Sequence, residues 1–391
     1  MKNKILIAGI FLIVFSLGFF AKVQSANAGW EVVGSTEFSA AEAEYVNIAF
    51  NPLTDEPYVA YQDAGNLYKA TVMRFDGSAW VNVGSVGFSA GQINDISLAF
   101  NPLTNEPYVA YEDGENSMKA TVMRFDTDSS TWVNVGSAGF SAGDADYISL
   151  AFNPSTKEPY VAYSDGANLD KATVRKFNGT TRENVGSAGF SESDLFYASL
   201  AFNPSTNEPY VAFRDGGNSN KATVMKFNGT TWENVGLAGF SDDWASFISL
   251  AFNPSTDEPY VAYADLAAGA TVMNFNGTTW VNVGSAGFSA GNVGFTSLAF
   301  NPSTEEPYVA YLDDYNSEKA TVMKFNGTTW ENVGSAGFSV SNLFYTSLAF
   351  NPSTNEPYVA YEDYGNSGKA TVMKFTTDIS PPAMPTGLSV Y

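Results

Sequence analysis

One segment of this chain recurs seven times, and that recurrence limits the fold more than any other property. The segment reads Ser-Leu-Ala-Phe-Asn-Pro-Ser-Thr-Asn-Glu-Pro-Tyr-Val-Ala-Tyr or a near copy. Its Asn-Pro pair begins at Asn51, Asn101, Asn153, Asn203, Asn253, Asn301 and Asn351, at spacings of 50, 52, 50, 50, 48 and 50 residues. Self-similarity at a fixed period marks an array of supersecondary units, each of which buries its apolar faces only against its neighbours.

Each unit reads as four short strands. The first, of the type Tyr147–Phe152, alternates with period two, and Asn153-Pro154-Ser155-Thr156 then supplies turn chemistry. The second is Tyr160–Tyr163, which runs to Asp165 and a Gly/Asn loop; the third is Ala172–Phe177. Asn178-Gly179 predicts a two-residue hairpin connection. The fourth strand is of the type Thr231–Val235, and a glycine-rich crossover, Gly236–Ser241, leads onward. No unit keeps a helical period of 3.6, so helical repeats are excluded. Small residues interleave with Tyr and Phe on both faces of the strands, as sheets covered on two sides require.

The phase of the repeats predicts closure. The array opens at Trp30-Glu31-Val32-Val33-Gly34, a fourth-strand motif, and ends at Lys369–Phe375, a third-strand motif. The orphan strand at one end is what the incomplete last unit lacks, and joining the two removes an exposed sheet edge. On these residues the sequence resembles the seven-bladed β-propeller class over Gly29 to Thr376. The resemblance implies an all-β ring of four-stranded blades, closed by the N-terminal strand. It reaches no named subfamily: the WD dipeptide, the kelch Gly-Gly doublet, the sialidase Asp-box and the integrin-type calcium loop are missing.

Outside the repeats, Lys2, Lys4 and the apolar run Ile5–Ala21, followed by Ala26-Asn27-Ala28, read as a signal peptide over residues 1–28, with a retained anchor as the alternative. The expected location is therefore secreted or at the cell surface, without membrane insertion once the signal is removed. The tail at 377–391, with Pro381-Pro382-Ala383-Met384-Pro385, resembles a linker or the start of a fibronectin type III module. Asn178, Asn228, Asn276 and Asn326 open Asn-Gly-Thr sequences that fit a glycosylation acceptor, but hairpin turns demand Asn-Gly at the same places.

Composition removes much chemistry. With 41 acidic against 19 basic residues the formal charge is -22, which argues against nucleic acid and anionic membranes as partners. There is no Cys and no His, so disulfides, thiol nucleophiles, Ser-His-Asp triads and imidazole zinc sites are unavailable. No cofactor is expected, and a closed ring is expected to act as a monomer.

Comparing the units separates framework from candidate function. The first-to-second and third-to-fourth turns, at one end of each unit, hardly vary; the crossovers and second-to-third loops at the other end do. An aromatic opens six of the first strands: Tyr45, Tyr147, Tyr197, Phe247, Phe295 and Tyr345, with Asp95 the exception. Near the ring axis these would surround the channel mouth. Aromatic faces beside carboxylates suit a sugar ring; equally, the rings can simply pack against each other. Seven carboxylates, Asp63, Asp113, Asp165, Asp215, Asp265, Asp313 and Asp363, follow the second strands. They are of the type calcium takes, or they cap turns, so metal binding is left open. The fifth unit is the odd one, with a loop Asp265–Gly269 two residues shorter than most and Asp242, Asp243 and Trp244 in its crossover. With Arg214 from the preceding unit these make an asymmetric candidate pocket. Arg182 stands where other units place Trp and reads as a drifted framework position.

Three functions follow as expectations. The first is non-enzymatic binding of carbohydrate, at Trp244, Asp242, Asp243, Arg214, Tyr147, Tyr197, Phe247 and Tyr345. The second is a scaffold for an extracellular protein partner, which would use an apolar patch of Leu195, Phe196, Leu343 and Phe344. The third is a carboxylate-based glycoside hydrolase or lyase, with Asp242 or Asp243 acting beside Asp265.

Overall fold

The computed structural model describes residues 29–376. The expected signal peptide and the fibronectin-like tail lie outside the described residues.

The alternating runs form strands in every unit. In the third unit these are Ala145–Phe152, Pro159–Asp165, Lys171–Phe177 and Arg182–Asn184. Consecutive strands pair antiparallel, giving seven four-stranded sheets among the described residues. The Asn-Gly turn differs from the expected one by a single residue. The Asn178 amide donates to the Thr181 carbonyl, so Gly179 and Thr180 form the centre of the turn, with Gly179 at φ +91°. The reason lies in Asn178, whose Oδ1 accepts from both the Thr180 and Thr181 amides and so holds it outside the bend.

The second strand lies in the middle of each sheet, and in most blades all seven of its residues are buried. Instead of one core there are seven, each shared by two neighbouring sheets. Val109 and Tyr111 of one sheet pack with Tyr58 and Ala60 of the sheet before it. Val59 and Tyr61 pack in the same way with Tyr358 and Ala360 of the last sheet.

Two circles of hydrogen bonds reinforce these interfaces. Near the axis, a side-chain oxygen on each first strand accepts from a backbone amide of the next: Asn47 from Leu98, Ser97 from Leu150, Ser149 from Leu200, and so on to Ser347 from Ile48. Further out, a Trp indole donates to a carbonyl of the preceding sheet, as Trp80 does to Val33 and Trp280 to Val235. Each of these indoles also stacks on a Phe of the crossover, with centroids 4.0–4.2 Å apart.

Gly29–Val32 pairs antiparallel with Lys369–Thr376 and completes the last sheet, whose order is N-terminal strand, third, second, first. Trp30 donates to Val333 at 2.7 Å and stacks on Phe338, so the closing strand uses the contacts of every other fourth strand. The chain is a seven-bladed β-propeller.

Arg182 takes the Trp place in the third blade. Its guanidinium lies 3.9 Å from the Phe140 ring centroid and donates to the Val135 carbonyl at 2.7 Å, imitating both indole contacts. The imitation leaves Nε and one terminal nitrogen buried without partners, and burial, with Arg175 nearby, pulls the group down to about 9. An uncompensated buried cation is costly, whereas Trp has only one polar atom to satisfy here. Arg182→Trp is therefore expected to stabilise the fold by about 1–3 kcal/mol. Urea unfolding checks this, and an unchanged or lower midpoint would count against it.

Candidate functional site

The first strands surround the axis, and each carries the same irregularity. Register slips between Glu44 and Asn47, between Asp146 and Ser149, and at the matching place in the other blades. Within each bulge one residue adopts left-handed backbone: Tyr45, Asp95, Tyr147, Tyr197, Phe247, Phe295 and Tyr345, at φ between 39 and 54°. Bulky residues avoid this region, at a cost of about 1–3 kcal/mol each. The bulge does what a regular strand cannot. It brings consecutive residues, such as Tyr45, Val46 and Asn47, onto one wall.

The result is an axial cup of about 260 Å³. Its rim is an arc of six half-buried rings running Tyr147, Tyr197, Phe247, Phe295, Tyr345, Tyr45, with successive centroids 4.5–5.3 Å apart. The rings thus pack against one another and line the cavity at once. Asp95 stands in the gap between the two ends of the arc. The Tyr147 amide donates to its Oδ2 at 2.6 Å. Burial, with Asp146 adding to it, pushes its carboxyl up to about 6 against the pull of that hydrogen bond.

Beside the bulge, seven cross-strand pairs differ from blade to blade. They are Glu44 with Gln62, Asn94 with Glu112, Asp146 with Ser164, Phe196 with Arg214, Ser246 with Ala264, Gly294 with Leu312, and Phe344 with Glu362. Acidic members gather on the seventh, first, second and third blades. Burial pushes Glu112 up to about 7, with Asp146 the largest charge contribution, and Glu362 up to about 8, with Glu42 and Glu44 contributing. On the fourth blade Arg214 lies flat against Phe196, 4.2 Å from its centroid, and 5.0 Å from that of Tyr197.

Of the residues singled out from sequence, Tyr147, Tyr197, Phe247 and Tyr345 line the cup. Arg214 borders it through Tyr197, and Trp244, 44% exposed, continues the surface outward at 5.7 Å from Arg214. Asp242 and Asp243 do not line the cup; they act electrostatically on Asp265, which accepts from the Ala267 and Ala268 amides. Half of the apolar patch expected for a protein partner is buried: Leu195 and Leu343 are fully so, while Phe196 and Phe344 are partly exposed and pack on Arg214 and Phe295.

The seven-membered Asp ring is built for turns. Asp63 accepts from the Gly65 amide, the Asn66 side chain and Thr71 Oγ1, and Asp113, Asp165 and Asp215 repeat the pattern. Their acceptor sites are taken by the loop itself. Among the described residues no group of three or more carboxylates is arranged to hold a metal ion. Larger clefts, of about 400 and 380 Å³, lie at the opposite end of the ring, lined by turn residues repeated from unit to unit. The residues that sequence reasoning passed over are Glu112, Glu362 and Asp95 as a group. Aligning the seven units position by position sets Asp95 apart in an aromatic series, but shows Glu112 and Glu362 only as the two carboxylates of a position that differs in nearly every unit.

Neither a protein-family model nor a curated protein matches this chain. Solved structures do share its shape. A polysaccharide lyase, the PL25 ulvan lyase bound to -[GlcA(1-4)Rha3S]-, aligns with a TM-score of 0.58 at 12% identity, over 88% of this chain and 95% of that one. AofleA from Arthrobotrys oligospora aligns at 0.50 and 11% identity, over 79% of this chain and 90% of its own. A Dyadobacter fermentans protein of unknown function aligns at 0.49 and 11%, over 89% and 98%. At these identities the likeness to the first two bears on the fold alone.

Proposed function

We propose that this propeller is a secreted or cell-surface, monomeric, non-enzymatic module that binds carbohydrate in its axial cup. The observation that carries this reading is the arc of six half-buried aromatic rings interrupted by one carboxylate, at the end of the ring where the units vary. Aromatic faces take the CH faces of a sugar, while Asp95, the tyrosine hydroxyls and the neighbouring polar pairs take its hydroxyls. The size of the cup suits one sugar residue, and Arg214 and Trp244 extend the surface for a second. A polysaccharide-handling protein of the same fold supports the reading.

Glycan-array binding tests it. The purified chain is expected to retain saccharides with or without chelator, and Tyr147→Ala or Trp244→Ala is expected to weaken binding by at least about tenfold. Retention unaffected by both substitutions would remove the cup from the account. Because Glu112 and Asp95 are carboxylates with raised proton affinity, a hydrolase or lyase is the second reading. Shortened products after incubation with a retained polysaccharide would favour it.

A further inference from the structure

We propose that the ligand group seated in the axial cup is positively charged, a protonated amine carried by a sugar residue. This rests on the saccharide reading of the same cup and specifies the sugar.

Asp95 is the sole charged side chain among the residues lining the cup, and every other blade presents an aromatic ring at its position. No lysine or arginine lines the cavity to neutralise it. Aromatic faces carry partial negative charge, and rings gathered about a carboxylate form the usual receptacle for an ammonium group. A neutral sugar can use the rings and hydrogen-bond the carboxylate, but only a cation also neutralises its charge.

Further carboxyl groups gather around the mouth, and those that ionise carry the same sign. Glu112 and Asp146 flank Asp95, and the Tyr45 hydroxyl is held above its ordinary range by burial first and then by Asp95, Glu44 and Glu112. Glu42, Glu44 and Glu362 crowd the junction of the seventh and first blades. Carboxylate oxygens of Glu42 and Glu362 both lie within 3.3 Å of the point where a Cβ on Gly368 would stand. Arg214 opposes them from the fourth blade, but its charge is spread over Phe196, Tyr197 and Trp244 and it lies outside the lining. With a chain charge of -22 behind it, this mouth attracts cationic polymers and repels uronates and sulfated sugars.

The experiment is calorimetric titration of the full chain at pH 6.5 with three probes: a chito-oligosaccharide bearing free amines, its fully N-acetylated counterpart, and tetramethylammonium. Tighter binding of the free amine than of the acetylated sugar, by about tenfold or more, is expected. Asp95→Asn should abolish that preference, lowering binding of the free amine by about tenfold more than binding of the acetylated sugar. Asp95→Tyr, which gives the second blade the residue found in four others, should do the same in a fold kept intact by the sevenfold design. Equal binding of both sugars, unchanged in either variant, overturns the cationic ligand and leaves the saccharide reading standing. Asp95-dependent binding of tetramethylammonium alone supports the cationic cup and overturns the saccharide reading. Silence from all three probes overturns both.

Discussion

Removal of Trp30–Gly34 is expected to abolish cooperative unfolding of the monomer and drive the chain into aggregates. Four register pairs join Gly29–Val32 to Lys369–Thr376, and the segment also supplies the Trp30 indole that stacks on Phe338 and bonds Val333. Trp30→Ala alone should cost about 3–5 kcal/mol, the usual result of deleting a large aromatic from a packed site. Loss of the whole strand adds an unpaired ladder along Lys369–Thr376, whose exposed edge is a template for another chain. It also removes Val33, which is 5% exposed in a core shared by the first and seventh blades, and leaves a cavity there. Urea unfolding followed by tryptophan fluorescence, with light scattering in parallel, reads both effects. A deletion variant with the parent's midpoint would show that the ring does not depend on its clasp.

Stability is expected to fall as pH rises from about 5 to 8, the reverse of what most acidic proteins would be assumed to do. The cause is Glu362, 3% exposed and accompanied by Glu42 and Glu44, whose carboxyl is moved from an ordinary 4.5 to about 8. Between those two values the folded chain holds a proton that the unfolded chain has released. More protons on the folded side means that stability decreases with rising pH, and the stabilising contribution is complete only below about 4.5. Glu112, at about 7, and Asp95, at about 6, act in the same direction. The chain has no His and no Cys, so no other side chain ordinarily titrates in this window and the slope can be assigned to carboxylates. Glu362→Gln should flatten the dependence and add roughly 2–4 kcal/mol at pH 8. Glutamine fits this place: Gln62 occupies it in the first blade and is equally buried. A flat stability profile from pH 5 to 8 in the parent would refute the assignment.

The architecture was legible because it is written seven times. Period, strand count and the mismatched phase of Trp30–Gly34 against Lys369–Phe375 required no knowledge of side-chain geometry. The drift at Arg182 was equally plain, since six Trp residues frame it. The cup was legible only in outline. Comparing units located the six aromatics and set Asp95 apart, but nothing in a linear pattern announces that Tyr147 adopts left-handed backbone. That conformation comes from the bulge, and the bulge comes from packing around the axis. Asp242 and Asp243 were singled out because they enter the unit with the shortened loop at Asp265; they lie beside that loop and outside the lining of the cup. Glu362 and Glu112 were missed because carboxylates are usually surface residues, and only burial in a particular pair reveals them as unusual.

The seven variable pairs beside the bulge have a consequence for how such a protein can change. Interface cores, Ser and Trp circles and Asp turns are held in common by the blades, whereas Glu44 with Gln62 through Phe344 with Glu362 are free to differ. Ring closure and the character of the mouth are thereby assigned to separate sets of positions. A substitution in one pair alters a seventh of the mouth and leaves the contacts that close the ring untouched. A lineage built on this plan can therefore exchange one ligand for another in small steps, with no intermediate that must first give up a contact closing the ring.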